Sequence, residues 1–320
     1  MNCANYFVNK FLEIDNNFIY ILHNFTVQST NCQNVLFKLN ENKTNIIILG
    51  AHYDSRARAT KDLINTSAHV PGANDGASGS AVLIELARNL YTRRENLSCQ
   101  IWFVFFDAED QGYDFGPGIS GWGWCEGSQQ FVSEINNFYD SGTETFDCMV
   151  LLDMVGGLNL RFINERNSIS SLLDELFAIG RALGYTSQFP LNPEVQPVYD
   201  DHVAFLNAGI PSADLIINFW NNPGWPYHHT TQDIINYTTK ESLEITGKTV
   251  EQFVYNNYFE DENNTYRGNY PWTQDQNLLN LEIVIVVSII IALLGVSIII
   301  LISSKQITEK KPKLMSINNF

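Results

Sequence analysis

The chain has 320 residues, of which 45% are hydrophobic, so it is long enough to bury the core of a full domain. Its formal net charge of −16 argues against nucleic acid as a partner, because neutralising phosphates requires clustered Lys and Arg. The five cysteines form no Cys-x-x-Cys pair and no paired spacing, which indicates neither a zinc knuckle nor a disulfide framework.

The first part of the chain predicts a polar segment followed by two strands and a helix. Residues 1–32 are Asn-rich and are interpreted as an N-terminal segment with a single helix. The natural segment is expected to begin before the recorded start. Residues 33–39 and 45–51 predict two strands separated by a polar turn. A polar loop then leads to a glycine-rich turn at 72–79 and into a helix with one apolar face.

The central strand is predicted at residues 100–106, an almost continuous run of bulky apolar side chains that is typical of a strand buried on both faces. The alternation of strands and helices continues to residue 258. It predicts a doubly wound α/β domain over 33–258, with a mixed, mostly parallel sheet flanked by helices. The later elements are predicted as a helix at 128–138, a strand at 148–152, helices at 170–183 and 201–209, a strand at 214–217 and a helix at 240–258.

A transmembrane helix is predicted near the C-terminus, at 283–303, because residues 283–302 carry no charge and are long enough to cross a bilayer. A polar stalk, 259–282, precedes it and a basic tail, 304–320, follows it. The positive-inside rule then places the tail in the cytoplasm and the domain outside the cell or in a lumen. No signal peptide opens the recorded sequence. Either the recorded start is incomplete, which we favour, or the protein is tail-anchored with its bulk in the cytosol.

Sequons for N-glycosylation all lie on the predicted outer side of the membrane, so a glycoprotein is expected. In so Asn-rich a chain several of them are expected by chance. The sequon asparagines are Asn24, Asn42, Asn65, Asn96, Asn236 and Asn263.

Acids and imidazoles follow the predicted strands where each strand ends. In open α/β sheets, ligands bind beyond the carboxyl ends of the strands, and buried acids need a cation or protons to neutralise them. Imidazoles and carboxylates without a cysteine ligand suit Zn²⁺ in a site that keeps one position open. The residues in question are His52, Asp54, Asp75, Glu109, Asp110, Asp153, His228 and His229.

Two of these residues are given supporting roles by their positions in the sequence. Asp54 lies two residues from His52 and is expected to orient its imidazole, while Glu109, beside Asp110, is expected to act as general base. The bland alternatives are a solvated loop at Glu109 and Asp110, a simple turn at Asp75 and a cap at Asp153. His202 is expected either in the substrate pocket or bonded to the backbone at a helix start.

Five motifs follow one another over about residues 33–258. They are Gly50-Ala51-His52-Tyr53-Asp54-Ser55, Pro71-Gly72-Ala73-Asn74-Asp75-Gly76-Ala77-Ser78-Gly79, Phe106-Asp107-Ala108-Glu109-Asp110, Leu152-Asp153-Met154 and His229-Thr230. In this order they resemble the zinc aminopeptidase and glutaminyl cyclase superfamily. Asp200-Asp201-His202 followed by Gly209-Ile210-Pro211 is similar to bacterial-type glutaminyl cyclases in particular. One position differs, because His228 stands where such cyclases usually carry tryptophan.

The resemblance implies a different number of zinc ions for each branch of the superfamily. In an aminopeptidase, Asp75 bridges two zinc ions, one also bound by Asp110 and His229 and the other by His52 and Asp153. In a cyclase, Asp75, Asp110 and His229 bind a single zinc ion. Glu109, Asp153 and Asp201 then form an acidic hydrogen-bond network.

The favoured hypothesis is a zinc-dependent enzyme acting on peptide or protein N-termini, a glutaminyl-peptide cyclotransferase that forms pyroglutamate and releases ammonia. The alternatives are a di-zinc aminopeptidase and an inactive, membrane-tethered binding domain of the same fold. Zinc stoichiometry separates the first two, and an effect of replacing Glu109 excludes the third. The substrate pocket is expected to include Trp122, Trp124, Trp225, His202 and His228.

Overall fold

The computed structural model describes residues 3–113, 118–219 and 224–260. The predicted stalk beyond Glu260, the predicted transmembrane helix at 283–303 and the basic tail at 304–320 lie outside these residues. Among the described helices, none has the length and apolar character needed to span a bilayer.

The described residues form a mixed, mostly parallel sheet of six strands. The strand order across the sheet is β1-β2-β4-β3-β5-β8. β1 and β2 pair antiparallel, as do β2 and β4, whereas β4, β3, β5 and β8 run parallel. These strands are β1 (Ile19–Val27), β2 (Thr30–Leu39), β3 (Asn45–His52), β4 (Gln100–Phe106), β5 (Thr145–Asp153) and β8 (Ser212–Ile216).

Helices cover both faces of the sheet, as expected for a doubly wound α/β domain. One face packs against α1, α2, α4 and α6, and the opposite face packs against α3 and α5. The helices are α1 (Cys3–Leu12), α2 (Ala77–Tyr91), α3 (Glu126–Ser133), α4 (Ser170–Ala182), α5 (Asp201–Asn207) and α6 (Lys240–Tyr258).

The central strand β4 shows why both faces are covered. All seven of its residues are buried. Ile101, Phe103 and Phe105 lie in the core beneath α1 and α2, while the alternate residues, such as Trp102 and Phe106, lie in the core beneath α3 and α5. Successive side chains of a strand point to opposite faces, so a continuous apolar run needs two covered faces.

The N-terminal residues belong to this sheet and are not a segment apart from it. Residues 19–27 form β1, an edge strand that the sequence did not predict, and α1 packs on the sheet through Phe11, which stacks on Phe37 at 3.7 Å between ring centroids. β1 is mostly exposed, so it lacks the apolar alternation that marks a half-buried strand.

Two smaller differences concern the segment before and around α5. The helix expected at 128–138 is a shorter α3 followed by a 3₁₀ turn at Ile135–Asn137. Two short strands that were not predicted, β6 (Asn164–Glu165) and β7 (Val195–Gln196), form a second, parallel sheet. At two residues each, they are too short to show a period in the sequence.

Glycines allow the start of α2 to approach the ends of β3 and β5. A Cβ atom on Gly79 would lie 2.0 Å from the carbonyl oxygen of Leu152, and Gly76 has a φ of 99° beside His52. Any other residue at either position would force the chain apart or strain the backbone. The turn that carries Asp75 is therefore held close to the strand ends.

Candidate metal centre

Parallel strand ends and two loops bring the acids and imidazoles together. β3 ends at His52 and β5, its parallel neighbour, ends at Asp153. β4 lies on the other side of β3 and runs into Glu109 and Asp110. The sequence-predicted cluster therefore lies at one edge of the sheet, with Asp75 from the turn before α2 and His229 from the loop before α6.

Asp75 lies between two imidazoles and turns one carboxylate oxygen toward each. Its Oδ1 is 3.1 Å from Nε2 of His52, and its Oδ2 is 3.6 Å from Nε2 of His229. The same nitrogen of His52 is 3.1 Å from Oδ1 of Asp153, and that of His229 is 2.8 Å from Oδ1 of Asp110. Asp75 therefore offers one carboxylate oxygen to each of the two imidazoles.

The donor set fits a divalent transition metal such as zinc. Donor atoms of His52, Asp75 and Asp153 lie within 4.8 Å of one another, and all three residues are buried. Oδ2 of Asp75 and Oδ2 of Asp110 are buried without a hydrogen-bond partner among the described residues. Buried carboxylate oxygens of this kind need a cation or a proton, and imidazole with carboxylate is a common ligand set for zinc.

Asp54 fixes the segment that carries Glu109 and Asp110. Its carboxylate accepts hydrogen bonds from the backbone N–H groups of Glu109, at 3.0 Å, and Asp110, at 3.2 Å, and from Nε2 of Gln111 at 2.8 Å. It also lies 3.5 Å from Nδ1 of His52. The expected role beside His52 is thus combined with a second one, which is to hold the end of β4.

Two further supporting residues were not predicted from the sequence. The carboxylate of Asp233 accepts hydrogen bonds from the backbone N–H groups of Asn74, at 2.8 Å, and Asp75, at 3.0 Å. Arg56 donates to the carbonyl oxygen of Asp110 at 2.6 Å and stacks over the ring of Trp124 at 4.6 Å. The available signal for Asp233 in the sequence was an acidic residue four positions after His229.

Glu109 lies on the Nδ1 side of the His52 ring, whereas Asp75 and Asp153 lie on the Nε2 side. Its Oε1 accepts a hydrogen bond from Sγ of Cys125 at 3.3 Å, and its Oε2 is 4.0 Å from Nδ1 of His52. Burial raises the pKa of the Glu109 carboxyl well above its ordinary value, the charge of His52 opposes this, and the charge of Asp200 adds to it. A carboxyl with a raised pKa can accept and return a proton near neutral pH.

A second group of buried acids and an imidazole, here called the α5 cluster, lies around the start of α5. Nε2 of His202 is 3.0 Å from Oε2 of Glu165, and neither side chain is exposed. The residues brought together around Asp75, namely His52, Asp75, Asp110, Asp153 and His229, are here called the cleft. Burial raises the pKa of Asp200 to about 7 and that of Asp153, in the cleft, to about 6. The α5 cluster comprises Glu165, Asp200, Asp201, His202 and Asp214.

A cavity of about 490 Å³ opens over the cleft, and only some of the expected pocket residues line it. Trp124 and His228 do, together with Glu109. His202 is fully buried on Glu165 and is not among the lining residues, so the structure places it behind the cavity rather than at its surface. Its imidazole pairs a buried carboxylate.

Trp122 and Trp225, also expected in the pocket, are not among the residues that line the cavity. Trp225 is buried in the core, with its Nε1 3.3 Å from the carbonyl oxygen of Tyr237. Trp122 packs on the small apolar cluster of Val27, Cys32 and Ala108. Neither is among the lining residues, which corrects the expectation for both. An aromatic residue in a loop can pack either way, and its spacing in the sequence does not decide which.

Comparison with known proteins adds the family. Residues 34–254 match the sequence profile described as Peptidase family M28. The chain belongs to this family. The M28 match runs from β2 into α6, so it includes every residue of the cleft, whereas α1 and β1 precede it.

Solved structures of similar fold include a glutaminyl cyclase and a Zn-dependent exopeptidase. A glutaminyl cyclase from Bacteroides thetaiotaomicron is 28% identical to this M28 chain, with a TM-score of 0.70 over 80% of this chain and 89% of that one. A Zn-dependent exopeptidase from Parabacteroides distasonis is 27% identical, with the same TM-score and the same coverage of both chains.

Curated relatives include both kinds of enzyme as well. A glutaminyl-peptide cyclotransferase from Gloydius blomhoffii is 26% identical over 245 residues, which is 69% of this chain. Aminopeptidase YwaD from Bacillus subtilis is 28% identical over 216 residues, which is 66% of this chain. The match covers 64% of the length of the first relative and 40% of the second.

Proposed function

We propose that the protein is a zinc-dependent enzyme acting on the N-terminal residue of peptides, and that it is a glutaminyl-peptide cyclotransferase. Asp75, Asp110 and His229 would hold the zinc ion. When bound, this ion supplies positive charge that polarises the side-chain amide of an N-terminal glutamine and stabilises charge on its oxygen. The named relatives that are glutaminyl cyclases support this choice.

Glu109 carries the proton in the proposed reaction. The α-amine of the peptide attacks the side-chain amide carbon, Glu109 takes a proton from that amine, and the same proton leaves with ammonia. The products are a pyroglutamyl peptide and ammonia, so no co-reactant is needed. The raised pKa of Glu109 suits a group that first accepts and then returns a proton.

The observation that carries the proposal is the acidic surroundings of Glu109. Asp153 and Asp200 line the same cavity, and Asp201 is fully buried beside them. Neighbouring buried carboxyls cannot all ionise cheaply, so they share protons. A proton that must move from an amine to departing ammonia within one site is well served by such a network.

The test is a pair of assays on the zinc-loaded protein. A peptide with N-terminal glutamine is expected to release ammonia and become resistant to Edman degradation. An aminoacyl anilide is expected to release no aniline. Aniline release without ammonia release would overturn the cyclase proposal in favour of hydrolysis, and the absence of both would count against an enzyme acting on N-termini.

A second candidate, a di-zinc aminopeptidase, is favoured by the position of Asp75. Its two carboxylate oxygens face different imidazoles, and His52 and Asp153 complete a second donor set. Such a site would hold two ions and activate a water molecule, with Glu109 as its base. Elemental analysis separates the candidates, since one tight zinc ion supports the cyclase and two support the aminopeptidase.

A further inference from the structure

His228 lies at the wall of the cavity, next to the proposed zinc ligand His229. Its Nδ1 is 2.6 Å from Nζ of Lys61, and its Nε2 is 3.9 Å from Oδ2 of Asp75. Its ring lies 4.4 Å, centroid to centroid and edge-on, from that of Phe219. The imidazole is therefore held on two sides while its Nε2 faces the cleft.

The contact with Lys61 decides which nitrogen of His228 carries the hydrogen. Burial lowers the pKa of Lys61 from an ordinary value of about 10.4, well above neutral pH, and the charge of Asp75 opposes this shift, so Nζ is assigned as an ammonium. An ammonium group has only hydrogens to offer, so Nδ1 must present its lone pair to it. In the neutral ring the remaining hydrogen is then on Nε2, which makes Nε2 a donor directed at the cleft.

The same contact argues against His228 as a metal ligand. Donor atoms of Asp75, His228 and His229 do lie within 4.8 Å of one another, which is compatible with a shared ion. A metal on Nε2 of His228 would, however, require the hydrogen on Nδ1. That hydrogen would face the Lys61 ammonium at 2.6 Å, as one donor against another.

The backbone around Lys61 shows that the pair is built into the fold. The N–H of Lys61 donates to the carbonyl oxygen of His229 at 3.1 Å. The carboxylate of Asp62 accepts from the N–H of Thr231 at 2.9 Å and from the N–H of Ile64 at 2.8 Å. The loop that carries Lys61 is thus tied to the segment that carries His228.

We propose that Nε2–H of His228 donates a hydrogen bond to the substrate carbonyl oxygen as that oxygen gains negative charge. In the reaction, the bond from the nucleophile to the carbonyl carbon forms while the π pair of the carbonyl moves onto its oxygen. His228 keeps its hydrogen throughout, and Lys61 is a positioning residue that holds the donating tautomer. The inference rests on the proposed acyl chemistry at N-termini, and it holds for either nucleophile, the peptide amine or water.

Kinetics of four variants of the zinc-loaded full chain test the proposal. H228F keeps a ring and removes the donor, so it is expected to lower kcat by about 10²-fold with little change in KM, as for loss of one donor to a developing oxyanion. H228Q restores a donor and is expected to recover part of the loss. K61M is expected to lower kcat by a smaller factor than H228F. R58M removes an equal charge from an exposed residue of the same loop and is expected to leave kcat unchanged.

Zinc content and nitrogen NMR give readouts that do not depend on activity. H228F is expected to bind as much zinc as the wild type. In ¹⁵N spectra of the metal-free wild type, the hydrogen of His228 is expected on Nε2. In K61M the hydrogen is expected to be distributed between Nδ1 and Nε2. Loss of zinc in H228F, a hydrogen on Nδ1, or an unchanged kcat in H228F would overturn the inference. If the wild type turned over neither substrate, the proposed function would fail, while the NMR result would still decide the tautomer.

Discussion

The cleft and the α5 cluster contain the same kinds of residues but differ in their access to the cavity. In the cleft, Asp75 and Asp110 each keep a buried oxygen without a hydrogen-bond partner among the described residues, and both line the cavity. In the α5 cluster, Asp200, Asp201 and Asp214 also keep buried oxygens without such a partner, but of these three only Asp200 lines the cavity. Glu165 differs from them, because it accepts from the N–H groups of Asn167, Ser168 and Val198 as well as from His202. Acid and histidine content alone therefore does not identify a metal site.

The difference assigns separate tasks to Glu165 and to the cleft. Glu165 holds Val198, which lines the cavity, and His202, which lies in the first turn of α5 next to Asp201. It thereby supports one wall of the cavity from behind. The cleft residues, with open donor atoms facing the cavity, are left to bind the ion and the substrate. Each of the following predictions tests this division, beginning with the largest expected effect.

Replacing Asp75 by asparagine should remove metal binding and activity together. The variant loses the negatively charged carboxylate that faces both imidazoles. We therefore expect kcat/KM to fall by about 10³-fold or more, because several kcal/mol of charge stabilisation by the ion disappear. Zinc content by elemental analysis and turnover are measured on the same samples. Asp174→Asn, at an exposed position on α4, is the matched control and should change neither. Full zinc content in Asp75→Asn would refute the assignment.

Replacing Glu109 by glutamine should separate metal binding from proton transfer. Activity is expected to fall by about 10²- to 10⁴-fold, the range for loss of a general base, because the amide cannot take up the proton. Zinc content should stay at the wild-type level, since Glu109 is not among the proposed ligands. Glu95→Gln, at an exposed position, is the control. Unchanged turnover in Glu109→Gln would count against both enzyme hypotheses.

Replacing Glu165 by alanine should destabilise the fold rather than remove the ion. Breaking a buried pair leaves His202 and three backbone donors without their acceptor, and we expect a loss of about 3–5 kcal/mol in the free energy of unfolding. Urea unfolding measures this loss. In the control, Glu244→Ala, an exposed ion pair with Lys248 is lost, and stability should hardly change. Equal unfolding midpoints for the two variants would show that the Glu165–His202 pair does not stabilise the fold.

The pH dependence of stability should reveal the proton held by Asp200. Burial raises its pKa to about 7 in the folded protein, so between about pH 4 and 7 the folded state keeps a proton that the unfolded state has lost. The proton retained by Asp200 makes the metal-free protein less stable as the pH rises, by about 1.4 kcal/mol per pH unit. Asp200→Asn removes this pH dependence and keeps an acceptor at the helix N-cap. Parallel stability profiles for the wild type and Asp200→Asn over this range would contradict the prediction.

The positions of the cleft residues followed from the sequence because they depend on strand ends. β3, β4 and β5 are neighbours in a parallel sheet, so residues after their ends, such as His52, Asp110 and Asp153, meet at one edge. The M28 profile match is consistent with the resemblance carried by those same motifs. The order of strands and the motifs at their ends were thus enough to predict the cluster.

The residues that sequence reasoning missed act through distant backbone groups. The roles of Glu165 and Asp233 are visible only from the backbone N–H groups whose hydrogen bonds they accept. Those N–H groups belong to segments that are distant in the sequence and become neighbours only in the folded chain. The same limit applies to Trp122 and Trp225, whose packing away from the cavity depends on neighbours far along the chain. β1 was missed because its exposed position at the edge removes the alternation of apolar residues.

The short segment from His229 to Asp233 links two parts of the cleft. His229 supplies an imidazole to Asp75, while Asp233 grips the main chain of the turn on which Asp75 itself sits. An inserted or deleted residue between them would shift the imidazole and the carboxylate out of step by several ångströms. The segment from His229 to Asp233 should therefore be transplanted whole when the site is moved to another protein.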